Sequence, residues 1–201
     1  HQMNQIQRKW LYLEPIFERG ALPSEQSRFN RIDTEFRDIM QQVEIEPKLF
    51  NLVDERIHHG IANSLTTMLD QLERCQKALA DFLEEKRSHM PRFYFIGDDD
   101  LLEILGQSQN PDVIQAHLKK LFQALFKVQF DKDKSSITHF CSNAGEVVQL
   151  VKPVKTTLKV EEWLTSLATQ HRKTLAKQLT DCLKSPTVED YDAFSSQILC
   201  L

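Results

Sequence analysis

The sequence predicts a mainly α fold, an elongated helical bundle with one small antiparallel β meander, and three observations carry that expectation. Glycine is scarce: 5 of 201 residues, about 2.5% against a usual level near 7%, which disfavours turn-dense β folds and Gly-rich phosphate loops alike. Positions 61, 65, 68, 72, 75, 79, 82 and 86 read Ile, Leu, Met, Leu, Cys, Leu, Phe and Lys, an unbroken alternation of four and three whose first seven members are apolar. Short β-prone runs, by contrast, gather in one stretch between Val128 and Leu150.

The elements follow in order. Ile6, Trp10, Leu13 and Phe17 keep helical spacing, but the ring of Pro15 opposes the carbonyl four residues back, so the first helix is expected to end or kink near Leu13. After a loop at Gly20 to Leu22, Pro23 suits the first turn of a second helix, with Phe29, Ile32, Phe36, Ile39, Met40 and Val43 as its core stripe. Leu69 and Leu83 widen the stripe of the Ile61 to Lys86 helix, which suits a bundle better than a bare two-stranded seam. At 1.5 Å per residue that helix spans roughly 40 Å. Pro91 pushes the chain out of helix, and Arg92-Phe93-Tyr94-Phe95-Ile96 reads as a short extended run.

Asp98 or Asp99 is expected to cap the next helix, the remaining carboxylates of the Asp98-Asp99-Asp100 triplet favouring its positive end. Asn110-Pro111-Asp112 is a second cap-plus-proline start, feeding Val113, Ile114, His117, Leu118, Leu121, Phe122 and Leu125. The meander takes Val128 to Phe130, Ile137 to Phe140 and Glu146 to Leu150. Helix returns with Val160, Trp163, Leu164, Leu167, His171, Leu175, Leu179 and Cys182 on one face; Pro186 ends it, and Thr187 to Phe194 forms a short final turn.

Charge and composition exclude several functions. With 25 Lys+Arg against 29 Asp+Glu and a net charge of -4, no broad basic surface exists to displace phosphate counterions, so nucleic acid is not expected as a partner. Cys75, Cys141, Cys182 and Cys200 are widely spaced without a C-x-x-C pair, which suits a reducing, intracellular compartment. Cys75 and Cys182 fall on apolar faces and are expected to pack as small hydrophobes. No run approaches the roughly 18 apolar residues of a membrane span, so no membrane insertion is expected. The first helix begins without a strong cap and the chain stops on Ile198-Leu199-Cys200-Leu201, as an excised piece of a longer chain would.

No catalytic centre assembles from the residues. The acidic triplet lacks the alternating oxygen ligands, the glycine and the distant Glu of a calcium loop, and reads as helix capping. His139 and Cys141 share a strand face, yet no second pair stands at zinc-ligand spacing. His58 and His59 read as solvent-facing or capping residues, and the aromatics of Arg87 to Phe95 as core rather than a stacking platform for bases. No G-x-x-x-x-G-K-[ST] loop is present to cradle phosphates. The expectation is therefore no catalytic, cofactor-binding or metal-binding residue; periodicity alone suits a free-standing helical protein-interaction module, with a helical hydrolase behind it.

A resemblance narrows this. Trp10-Leu11-Tyr12-Leu13-Glu14-Pro15-Ile16-Phe17, Phe82-Leu83-Glu84-Glu85-Lys86-Arg87, Pro91-Arg92-Phe93-Tyr94-Phe95-Ile96, Asp99-Asp100-Leu101-Leu102-Glu103-Ile104-Leu105, Gly145-Glu146-Val147-Val148 and Glu162-Trp163-Leu164, running on to Gln197-Ile198, resemble in order the linker region of dynein heavy chains. Arg19-Gly20-Ala21-Leu22-Pro23, Phe29-Asn30-Arg31 and Ile96-Gly97-Asp98-Asp99-Asp100 most resemble the cytoplasmic dynein of intraflagellar transport. Ser142-Asn143-Ala144-Gly145-Glu146 departs from the family, which more often has Pro-Glu or Leu-Glu before the glycine.

The resemblance implies the C-terminal part of a linker rod that bends and straightens over an AAA+ ring. Residues 1–127 would be a helical linker subdomain, and 128–201 the meander plus C-terminal helices leading toward the first AAA+ module. The implied partners are the ring of the same heavy chain and, through the parent chain, the microtubule and dynein subunits. ATP and Mg would serve the parent motor, a microtubule ATPase, and not this segment. The implied location is cytoplasmic, on the cytoskeleton and in the cilium. Three successive carboxylates exceed what one helix start needs and adjoin an aromatic run, so Arg92, Phe93, Asp98, Asp99 and Asp100 are the candidates for communication with the ring.

Overall fold

The computed structural model describes residues 1–45, 47, 60–107, 110–156 and 159–184. The chain divides into two compact units, His1–Glu85 and Lys86–Leu201.

The first unit is built from α1 (Gln2–Glu18), α2 (Gln26–Ile45) and the greater part of α3 (Ile61–His89). Phe17 stacks on Phe29 at 4.5 Å and Trp10 lies 5.4 Å from Phe36, so α1 and α2 run antiparallel. Gln2 bonds Thr66 and Lys9 bonds Gln76, so α1 and α3 run parallel. Ile6, Leu13, Phe17, Phe29, Ile32, Phe36, Met68, Leu72, Cys75, Leu79 and Leu83 are all buried. The four-three stripe thus faces the core from Met68 to Leu79, after which Leu83 rather than half-buried Phe82 continues it, and at 29 residues α3 is about 44 Å long.

Near the N-terminus the first helix does not end at Leu13, and Pro23 does not start the second. The first helix runs through Pro15 to Glu18: Pro15 sits on the exposed face next to 55%-exposed Leu11, where the carbonyl it orphans can meet water, while Leu13, Ile16 and Phe17 hold the flanks. α1 ends instead at Gly20, at φ +70°, in a Schellman arrangement: Gly20 N–H donates to Phe17 O and Ala21 N–H to Ile16 O. Pro23 lies in the turn before α2 rather than in its first turn. Burial pushes the Cys75 thiol up to about 11. Iodoacetamide at pH 8, followed by peptide mass spectrometry, should modify half-buried Cys141 at least about tenfold faster than Cys75.

The second unit starts at the last turn of α3. Met90 takes the extended geometry a following proline imposes, with φ −133° and ψ 93°, but the next residues wind into a 3₁₀ turn, Pro91–Phe95, where an extended run was expected. The winding puts Met90, Phe93 and Ile96 on one buried face and leaves Tyr94 and Phe95 55% and 71% exposed. Only one of the three aromatics is therefore core. α4 (Asp98–Gly106) has Gly97 as its N-cap, so all three aspartates lie in the first turn and none caps through its side chain. α5 (Pro111–Leu121) begins as expected, Asn110 accepting from the Asp112 N–H.

Strands β1 (Lys127–Phe130), β2 (Ser136–Cys141) and β3 (Val147–Lys155) form an antiparallel sheet in the order β1-β2-β3. A bulge between Ile137 and His139 brings Ile137 and Phe140 both into the core although they stand three apart. β3 runs past Leu150 to Lys155, with Val148, Leu150 and Val154 buried and Pro153 tolerated because the strand is at the sheet edge. α6 (Val160–Lys184) packs on β3, and Thr174 Oγ1 accepts the edge N–H of Val151 at 3.1 Å. The buried face of α6 ends near Thr174, Leu179 and Leu183 being 45% and 79% exposed. The expected stops and turns at Pro186 and Thr187 to Phe194 lie outside the described residues, as do His58, His59 and Cys200.

Candidate functional site

The candidate residues lie together in the second unit, where the end of α3, the 3₁₀ turn, α4 and α5 meet. Phe93 is fully buried and anchors the turn. Arg92 reaches the end of α5: its Nη1 donates to Leu121 O at 2.8 Å and its guanidinium lies 4.6 Å over the Phe122 ring. That contact satisfies a C-terminal helix carbonyl and places a cation at the negative end of the helix dipole. Arg92 is thus engaged through its guanidinium, and Phe93 through its buried ring, within this unit.

The three aspartates separate in role. Asp98 Oδ1 takes a 2.6 Å bond from Arg87 Nη2, which also reaches Ile96 O, tying α4 to the end of α3. Asp100 Oδ2 is paired with Lys120 Nζ at 2.6 Å, joining α4 to α5. Asp99 is exposed and makes no hydrogen bond or ion pair among the described residues. One turn on, Glu103 Oε2 is 3.0 Å from His117 Nε2, a pairing sequence reasoning missed because it joins α4 to α5. The only local signal was a histidine on an otherwise apolar helix face. His139 and Cys141 share a β2 face as expected, both half-buried.

Behind Arg92, His171 of α6 stacks edge-on to Phe140 at 4.6 Å, and its buried Nε2 has no hydrogen-bond partner. Burial, with a smaller contribution from the Arg92 charge, lowers its pKa below 6.5. A base depressed in the folded state gives stability that is fully present above its unfolded value and is lost as pH falls from 6.5 toward the lowered one. Thermal unfolding between pH 5 and 7.5 should therefore show a midpoint that drops on acidification, and His171→Gln should flatten that drop. Parallel profiles for the two chains would contradict this.

Among the described residues no helix is long and apolar enough to cross a membrane. Residues 1–182 match the family model described as dynein heavy chain, N-terminal region 2. The chain is 57% identical over 99% of its length to cytoplasmic dynein 2 heavy chain 1 of Tripneustes gratilla and 55% to that of Homo sapiens, spanning about 5% of each of those proteins. Against two proteins of Caenorhabditis elegans it is 52% identical to cytoplasmic dynein 2 heavy chain 1 and 38% to a cytoplasmic dynein heavy chain, again about 5% of each.

Proposed function

Because the chain belongs to the dynein heavy chain family, we propose that it is a lever segment: the C-terminal part of the linker, coupling ATP-driven changes in an AAA+ ring to movement along microtubules. The motor we assign it to is that of retrograde intraflagellar transport, which places it in the cytoplasm and cilium. The observation that carries this reading is the contrast within one organism: 52% identity to the dynein 2 chain against 38% to the other cytoplasmic dynein. A 29-residue helix with five buried positions supports a stiff, force-transmitting role. ATP, Mg, the ring and the microtubule belong in this reading to the parent chain.

Of the candidate ring-communication residues, Arg92, Phe93, Asp98 and Asp100 are engaged within the second unit, so exposed Asp99 is the carboxylate this reading assigns to a partner. The test is a dynein 2 motor whose matching segment is replaced by this chain. Microtubule gliding should be retained, and should be lost when an unrelated helical segment of equal length is inserted. Gliding no better than with the unrelated insert would overturn the lever assignment. Asp99→Asn in the working chimera should slow gliding without changing thermal unfolding; equal velocities would leave Asp99 a solvated helix-start residue.

A further inference from the structure

We propose that Asp100 and His117, held in place by Glu103 and Lys120, form a binding site for a divalent transition-metal ion of the zinc class. Asp100, Glu103 and His117 each bring a ligand atom within 4.8 Å of the others. Acidic clusters are common, and the cluster alone would carry nothing. The second observation is His117 itself: it is 7% exposed, and its buried Nδ1 has no hydrogen-bond partner although it faces Asp100 Oδ1 at 3.6 Å.

The arrangement of donors and acceptors argues for a cation in that gap. His117 Nε2 is 3.0 Å from Glu103 Oε2, and a carboxylate at that distance selects the tautomer whose Nε2–H donates to it. Nδ1 then carries a lone pair, and the nearest polar atom it faces is another acceptor. Two ligands bound to one zinc at about 2.0 Å in tetrahedral geometry stand about 3.3 Å apart, close to the 3.6 Å observed. An ion there turns an unsatisfied buried acceptor and an opposed carboxylate oxygen into two ligands.

The surroundings suit the same occupant. The second oxygen of Asp100 is taken by Lys120 Nζ at 2.6 Å, leaving Oδ1 as the free, monodentate donor. Glu103 does for His117 what a carboxylate behind a metal-bound imidazole does generally, fixing its ring orientation and tautomer. Asp100, Glu103 and Lys120 sum to one negative charge, which a divalent cation reverses. The Asp100 and Glu103 side chains are 29% and 42% exposed, so an ion can enter from solvent and water can complete its coordination. One nitrogen and one oxygen donor select zinc and its neighbours over magnesium or calcium, which prefer oxygen alone.

The experiment is calorimetric titration of the chain with zinc chloride at pH 7.5, with thermal unfolding in parallel. Other histidines and the cysteines give a background that His117→Gln and Asp100→Asn retain, so the site is read as the difference. Wild type should bind one more equivalent than either variant and gain thermal stability from it. Glu103→Gln should keep that equivalent but weaken it by about 10- to 100-fold, the usual loss when a metal-bound imidazole loses its carboxylate partner. Asp100→Asn changes a partly exposed group, so it keeps the test valid should His117→Gln fold poorly. Superimposable isotherms for wild type and Asp100→Asn, with no zinc-dependent rise in unfolding temperature, would overturn the proposal.

Discussion

Truncating Leu72 or Leu79 to Ala should lower the unfolding free energy of the first unit by about 2 to 5 kcal/mol. Both side chains lie on the buried stripe of α3, 0% and 2% exposed, so each truncation loses the transfer free energy of three carbons and leaves a cavity. Leu11→Ala is the control: at 55% exposure it should cost no more than about 0.5 kcal/mol. Trp10 belongs to the first unit and Trp163 to the second, so urea unfolding followed by Trp10 fluorescence in a Trp163→Phe background reads the relevant unit. The midpoint should fall with the slope unchanged, because the cavity alters stability and not the surface exposed on unfolding. An unmoved midpoint in both variants would mean that the stripe is not the core of this unit.

Several local or periodic features were legible in the sequence. The α3 stripe, the Asn110 cap and the three-strand meander depend on spacing or on one side chain meeting a backbone group two residues away, and each is present. The expected helix end before Pro15, the place of Pro23 in the first turn of α2 and the extended run after Pro91 were each overridden by context. Pro15 sits on the wet face of α1, where its lost hydrogen bond costs little, and Pro91 breaks α3 as it must but hands the chain to a 3₁₀ turn. That turn then decides which aromatics are buried, since a period of three puts Phe93 inward and Tyr94 and Phe95 outward, whereas an extended strand would alternate.

Charge was harder to read. The aspartate triplet is visible in the sequence, but its division into one residue held by Arg87, one held by Lys120 and one left to solvent depends on partners 11 and 20 residues away. The pairing of Glu103 with His117 likewise exists only once α4 and α5 lie side by side. For each, the sequence offers a charged or titratable group with an unassigned partner, and the fold assigns it. Lys86 carries a local warning, as the one charged member of an otherwise apolar stripe.

The partner that Lys86 finds sets the other large expected effect. Its Nζ is 2.7 Å from Glu161 Oε1, the two side chains being 17% and 10% exposed. Burial works against the Glu161 charge, yet hydrogen bonding and attraction from Lys86 outweigh it and hold the carboxyl below its ordinary 4.5. Removing one partner strands a buried charge, so Lys86→Met should destabilise the second unit by about 3 kcal/mol or more. Removing both should not: Lys86→Met with Glu161→Leu fills the same space without ions and should recover most of the loss, since apolar replacement of a buried pair is often neutral. A carboxyl depressed in the folded state contributes stability that is present above its unfolded value and lost as pH falls through the lowered one. The wild type should therefore lose stability below about pH 4.5, and the double variant should lack that component of the loss. Urea unfolding monitored by Trp163 in a Trp10→Phe background, repeated from pH 3 to 7, separates these outcomes. A Lys86→Met chain as stable as wild type, or a double variant no better than the single, would show that the ion pair does not govern how α6 is held to the end of α3.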